Sequence, residues 1–147
     1  MMTILRNILA FVLGVILGGV VNMAIVIFVS PLVPLPEGVI PDDMESIKAN
    51  IHRFSFWNLL VPFAAHALGT LVGAFVAAAL AKSYKLPLAL GIGALTMVGG
   101  IAAIAMIGGP VGFMIADLGL AYIPMAWIGG KLGMVVSQPN SVVNPTA

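Results

Sequence analysis

The sequence predicts an all-α integral membrane bundle of four transmembrane helices, with a short amphipathic helix in the first external loop. Three observations carry that reading. First, 61% of the residues are hydrophobic and only 7% charged, against roughly 45–50% and ~25% in soluble domains. Second, the few charges fall between long uncharged stretches: 7–36, the run from Arg53 to Lys82, 86–116, and 118–130 after the single Asp117. Third, those stretches do not alternate apolar and polar residues, so barrel strands are excluded and helices remain.

A helix needs about 20 apolar residues to cross a ~30 Å hydrocarbon core. Four segments meet that length, at about 7–29, 58–81, 87–108 and 112–131. Together they predict one transmembrane domain over 1–136 and a flexible polar tail over 137–147, where Pro139 and Pro145 oppose regular structure. Arg6 ahead of the first apolar run resembles the start of a signal peptide. The run continues to Val29, however, beyond a typical h-region of ~7–15 residues, and no small-residue cleavage site follows.

The long connection 30–57 opens with Pro31, Pro34, Pro36 and Pro41. Asp42 and Glu45 stand three apart, the spacing of a capping box, and predict the start of a short helix. Met44, Ile47, Ile51 and Phe54 fall on one face of it, and Glu45, Lys48 and His52 on another. The connections at 82–87 and 108–110 are short, so the helices they join are antiparallel neighbours.

Orientation follows the basic residues. Arg6, Lys82, Lys85 and Lys131 lie on one side of a four-span arrangement, and Lys48 and Arg53 on the other with Glu37, Asp42, Asp43 and Glu45. The positive-inside rule then places both termini in the cytoplasm. Trp57 at one boundary, and Tyr84 and Trp127 near the other, occupy aromatic-belt positions.

Small residues recur at every fourth position. The second span carries Ala65, Gly69, Gly73, Ala77 and Ala81; the first carries Ala10, Gly14 and Gly18 and ends the series at Asn22; the fourth ends with Gly129 and Gly133. Such stripes let helix backbones approach closely where lipid supplies no hydrophobic drive. They predict that spans one and two pack through Gly14, Gly18, Gly69 and Gly73. One sequence leaves open whether a stripe also joins protomers.

Four polar residues inside the spans are candidate site residues: Asn22, His66, Thr70 and Asp117. At about 1.5 Å per residue, Asn22 lies roughly 24 Å from Arg6, His66 roughly 24 Å from Lys82, and Asp117 roughly 21 Å from Lys131. Three helices therefore place a polar group at a similar level. Asp117 is the one acid within a span, and a carboxylate there costs about 2.5–3.5 kcal/mol at the membrane centre unless it is protonated, paired or wetted. His66 is its natural partner. The pair has three readings: structural glue, a proton or cation site, or a contact for a lipid headgroup or small ligand. Asn22 reads as interhelical glue, and Pro124 as a local reshaping of span four.

Other classes fit poorly. Cysteine is absent, which removes disulfides and thiolate metal sites. Net charge is +1, so nucleic acid is not expected as a partner. One His and one Asp in the bundle fall short of the about three protein ligands of a catalytic zinc. No nucleophile elbow or phosphate loop is present. The sequence thus predicts neither metal nor cofactor and argues against an enzyme.

The strings Leu35-Pro36-Glu37-Gly38, His66-Ala67-Leu68-Gly69-Thr70-Leu71-Val72-Gly73-Ala74, and Asp117 with Ala121-Tyr122-Ile123-Pro124-Met125 resemble a family of small, uncharacterised four-span membrane proteins of bacteria. The resemblance spans about 5–133 and implies a prokaryotic inner-membrane address and no activity. The expected function is a non-enzymatic accessory or interaction protein, as an oligomer or a subunit of a larger membrane complex. The alternative is a small proton- or cation-linked transporter or channel built on His66 and Asp117.

Overall fold

The computed structural model describes residues 2–138; beyond Gln138 the expected tail lies outside the described residues. All regular structure among them is helical. In order come α1 (Met2–Val29), a 3₁₀ turn at Ser30–Leu32, α2 (Met44–Asn50), a 3₁₀ turn at Ile51–Arg53, α3 (Phe56–Leu80), α4 (Lys85–Ile107), α5 (Val111–Leu120) and α6 (Ile123–Val136). Four segments are long and apolar enough to cross a membrane: α1, α3, α4, and α5 with α6 end to end.

The fourth segment departs from the expectation of one continuous helix. It breaks at Ala121 and Tyr122, where Tyr122 leaves helical geometry at φ −113° and ψ −80°. Pro124 enters the first turn of α6. Its missing N–H leaves the Leu120 carbonyl without a helical partner, and here the chain breaks rather than bends. The Ala121 N–H closes α5 on the Asp117 carbonyl at 3.0 Å, and the Ala126 N–H opens α6 on the Tyr122 carbonyl at 2.8 Å.

α1 also begins earlier than the hydropathy pattern suggests, taking Arg6 and Asn7 into the helix. Both side chains reach the turn after α3. Arg6 Nε donates to the Leu80 carbonyl at 2.8 Å, one of the orphan acceptors that every helix C-terminus leaves. Asn7 Oδ1 accepts from the backbone N–H of Lys82 at 3.0 Å and of Ser83 at 3.3 Å, while Nδ2 donates to Ser83 Oγ at 2.9 Å. The α3–α4 turn is thereby clipped to the start of α1.

At the opposite end, the cap of α2 is Asp43 rather than Asp42. Asp43 Oδ1 accepts from the Glu45 N–H at 3.0 Å and the Ser46 N–H at 3.4 Å. Asp42 instead takes the left-handed turn position before it, at φ 64°, a conformation Asp tolerates better than most residues. On the short helix Ile47, Ile51 and Phe54 are half-buried, whereas Glu45, Lys48, His52 and also Met44 are exposed. A reciprocal capping box starts α3 at Ser55 and Asn58, and Asn58 Nδ2 ties back to the Pro34 carbonyl at 2.9 Å.

α3 is the central helix, packed against α1, α6 and α4. The α1 contact runs through glycine. A Cβ on Gly14 would stand 2.6 Å from the Gly73 carbonyl oxygen, and one on Gly18 would stand 2.7 Å from that of Gly69. The reverse positions, Gly69 and Gly73, have 2.8 Å to the Gly18 and Gly14 carbonyls. Such approach allows Cα–H to carbonyl contacts along the interface. On its other side, a Cβ at Gly129 or Gly133 of α6 would overlap the carbonyls of Leu71 and Phe75. Between α3, α4 and α6 lies a core of Ala74, Ala77, Ala78, Ala89, Ile92 and Ala126.

Candidate functional site

The helix break brings the site together. His66 lies on the first half of α3, and Asp117 on the last turn of α5. His66 Nδ1 is 2.9 Å from Asp117 Oδ1, the only ion pair among the described residues. Tyr122, at the break itself, donates its hydroxyl to Asp117 Oδ2 at 2.8 Å and sits 2.9 Å from His66 Nδ1. Asp117 and Tyr122 are each 1% exposed, while the His66 side chain keeps 25%.

The donors assign the protons. Tyr122 has one hydroxyl hydrogen, and it serves Oδ2. With Asp117 ionised, the hydrogen that bridges Nδ1 and Oδ1 belongs to the imidazole, and the Tyr122 oxygen accepts a second leg of the same N–H. Both carboxylate oxygens are thus satisfied, which is what permits the acid in a membrane span. In that arrangement neutral His66 is the Nδ1–H tautomer, with its lone pair on Nε2. That nitrogen has no hydrogen-bond partner among the described residues. No fully buried side-chain nitrogen or oxygen there lacks a partner, so Nε2 is the accessible edge of the ring.

The His66 ring helps line a cleft of about 340 Å³ between α1 and α4, floored by His66 and Thr70 of α3 and by Tyr122. Asn22 lines the α1 side. Its Cβ and Cα pack on Gly69, one turn from His66, and it does not join the His66–Asp117–Tyr122 cluster. Thr70 is buried and sits one turn along α3 from His66, but it too stands outside the cluster: Thr70 Oγ1 donates to Thr96 Oγ1 at 3.0 Å, and Thr96 donates on to the Ile92 carbonyl at 2.9 Å. Gly100 of α4 makes room for the tyrosine, since a Cβ there would overlap the Tyr122 hydroxyl.

Of the four polar candidates, the structure joins His66 to Asp117 directly and places Asn22 and Thr70 on the same cleft. Tyr122 and Thr96 were not anticipated. The signal for Tyr122 lay in its position two residues before Pro124, where a helix break turns a side chain inward. The signal for Thr96 was a lone hydroxyl in an otherwise apolar span. Among the described residues no three His, Cys, Asp or Glu side chains converge; one imidazole and one carboxylate fall short of a closed metal site.

No protein family, no curated protein and no solved structure matches the chain. Its chemistry is therefore read from its own residues.

Proposed function

We propose that this is a small proton-linked membrane carrier or channel in which His66 takes up and releases a proton at Nε2. The observation that supports the reading is the division of labour on one ring. Nδ1 is fixed by a fully buried carboxylate, while Nε2 has no partner among the described residues and the ring lines the cleft. Asp117 orients the imidazole and stabilises the imidazolium, a role carboxylates play beside histidines elsewhere. Tyr122 holds the carboxylate in place. The protonated pair is neutral overall, and the deprotonated pair carries one negative charge.

Purified protein in liposomes with an imposed pH gradient should show a proton- or cation-dependent flux that Asp117→Asn abolishes while the helical content stays unchanged. Wild-type liposomes as tight as empty ones would remove the carrier reading. That result would favour the second one, a non-enzymatic accessory or oligomeric bundle. The latter has its own support: the lips of the cleft, Gly19 and Gly99, have nothing within 4 Å of where a Cβ would stand. This is room for a helix of a second copy or of a larger membrane complex.

The proposal includes an address, the bacterial inner membrane with both termini cytoplasmic. The Asn7-clipped end gathers Arg6, Lys82 and Lys85, and Lys131 lies on the last helix. The amphipathic segment at 44–54 is then external. Single cysteines at Ser46 and Ser83 test this with an impermeant thiol reagent on whole cells. Labelling at Ser83 but not at Ser46 would reverse it.

A further inference from the structure

We infer that the cleft takes a small organic ammonium ion, which displaces the proton of His66. The inference rests on the reading of His66 as the proton site and adds what competes with that proton. It starts from counting hydrogens on the cleft floor. The Tyr122 hydroxyl hydrogen is committed to Asp117, that of Thr70 to Thr96, and that of Thr96 to the Ile92 carbonyl. The hydrogen on Nδ1 of His66 is committed to Asp117. What remains unpaired is the Nε2 lone pair of His66, since Thr70 and Tyr122 are buried and keep their oxygens within the packing. Asn22 adds a carbonyl and is the one lining side chain with N–H groups to spare.

A floor whose one unpaired polar atom is an acceptor selects a ligand that donates. Charge selects its sign. Asp117 lies directly behind the floor, and no Lys or Arg lines the cleft. α1 and α4 contribute no titratable side chain to its lining, the break contributes Tyr122, and Asp117 of α5 meets His66 from behind without lining the cleft. Two states are then electrically balanced. In one, His66 is protonated on Nε2 and the cleft is empty of cations. In the other, His66 is neutral and a cation sits against Nε2. An imidazolium and an ammonium together would leave an excess positive charge in a medium of low dielectric, so each excludes the other. On binding, the proton leaves Nε2 for water and the ligand N–H takes its place.

The walls fix the rest of the ligand. Val15 and Leu95 are apolar and partly exposed, and Gly19 and Gly99 leave the mouth open between α1 and α4. At about 340 Å³ the cleft is at the small end of ligand sites, which run ≈ 300–1,000 Å³. A primary ammonium on a short apolar chain fits both halves.

The chain has two histidines, so protein labelled with ¹⁵N-histidine in lipid nanodiscs gives two ring signals, His52 serving as the solvent-exposed control. Butylammonium, tetramethylammonium and butyrate are the probes. At a pH where free His66 is protonated, butylammonium should convert it to the neutral Nδ1–H form and release close to one proton per ligand bound. Tetramethylammonium has no N–H, and its effect should be at least about tenfold weaker, the loss of one charge-assisted hydrogen bond. Gly19→Leu fills open space, so it should leave the His66 signal of the free protein unchanged and suppress the response to butylammonium.

Failure at each level reads differently. If His66 carries its hydrogen on Nε2, or never changes protonation between pH 5 and 8, the proton-site reading itself falls. If His66 titrates but butylammonium leaves it unchanged, or if butyrate binds and holds it protonated, that reading stands and the ammonium inference is overturned. Equal responses to butylammonium and tetramethylammonium would overturn the donor argument.

Discussion

Toward its C-terminus α3 presents Gly73, Ala74, Ala77 and Ala78 to its neighbours, and those contacts are made by backbone and methyl groups. Toward its N-terminus it presents His66 and Thr70, and the contacts there are hydrogen bonds between side chains. One helix thus holds its partners by shape in one half and by polarity in the other. The glycine half tolerates no added volume and is indifferent to charge. The polar region has a cleft beside it with open space at Gly19 and Gly99, and it needs each hydrogen-bond partner present. In a membrane the second device is weaker per bond than intuition suggests, because the separated helices also find partners.

The largest effect should come from adding volume to the shape-closed half. Gly129→Leu drives a side chain into the Leu71 carbonyl, and Gly73→Leu would meet the Gly14 carbonyl 2.8 Å from its Cβ. Each should lower stability by about 3 kcal/mol, the upper end of overpacking losses, in unfolding titrations from mixed micelles. Gly19→Leu is the matched control and should stay within about 0.5 kcal/mol of wild type. A Gly129→Leu protein as stable as wild type would break the comparison at its stronger side.

Next is the coupling of His66 and Asp117. His66→Ala strands a buried carboxylate with Tyr122 alone, and Asp117→Asn leaves the imidazole without its charge partner. Each single change should be costly, and the double change should cost less than their sum by about 1 kcal/mol, within the 0.5–3 range of contacting residues. The cycle is measured in the same titrations. Additive losses would mean that the 2.9 Å contact carries no energy.

The smallest effect belongs to the hydroxyl relay. Thr70→Val removes one hydrogen bond and nearly conserves shape, and Thr96 keeps its own acceptor on Ile92. The loss should be about 0.6 kcal/mol, the average for interhelical hydrogen bonds in membranes. A larger loss than that of Asp117→Asn would invert the order argued from burial and charge.

The four apolar segments were readable because hydropathy is a property of the window, not of its partners. The pairing of His66 with Asp117 was readable from scarcity: two ionisable groups at one depth have few other ways to be accommodated. The break at Ala121 and Tyr122 was not, because Pro124 says that a backbone bond is missing without saying whether the helix bends or stops. Tyr122 was missed with it, since in a continuous span over 112–131 nothing singles it out as a partner of Asp117. The three-residue spacing to Glu45 pointed to Asp42 as the cap, and the left-handed turn that Asp42 takes before α2 gives the role to Asp43. Asn7 and Ser83 were hidden for a related reason. Polar residues near a boundary look solvated until the tertiary contact between them is known.

The divided fourth segment also bears on how the protein is made. It has the lowest mean hydropathy of the four, and it carries the acid. α1, by contrast, is the most apolar and the least buried, and can enter the lipid on its own merits. By the time Asp117 leaves the ribosome, α3 has already been synthesised and His66 is in place to receive it. Insertion of the last segment is then a docking event, with the nascent chain supplying its own receptor. In that order of events His66 is in the chain before the acid it pairs with.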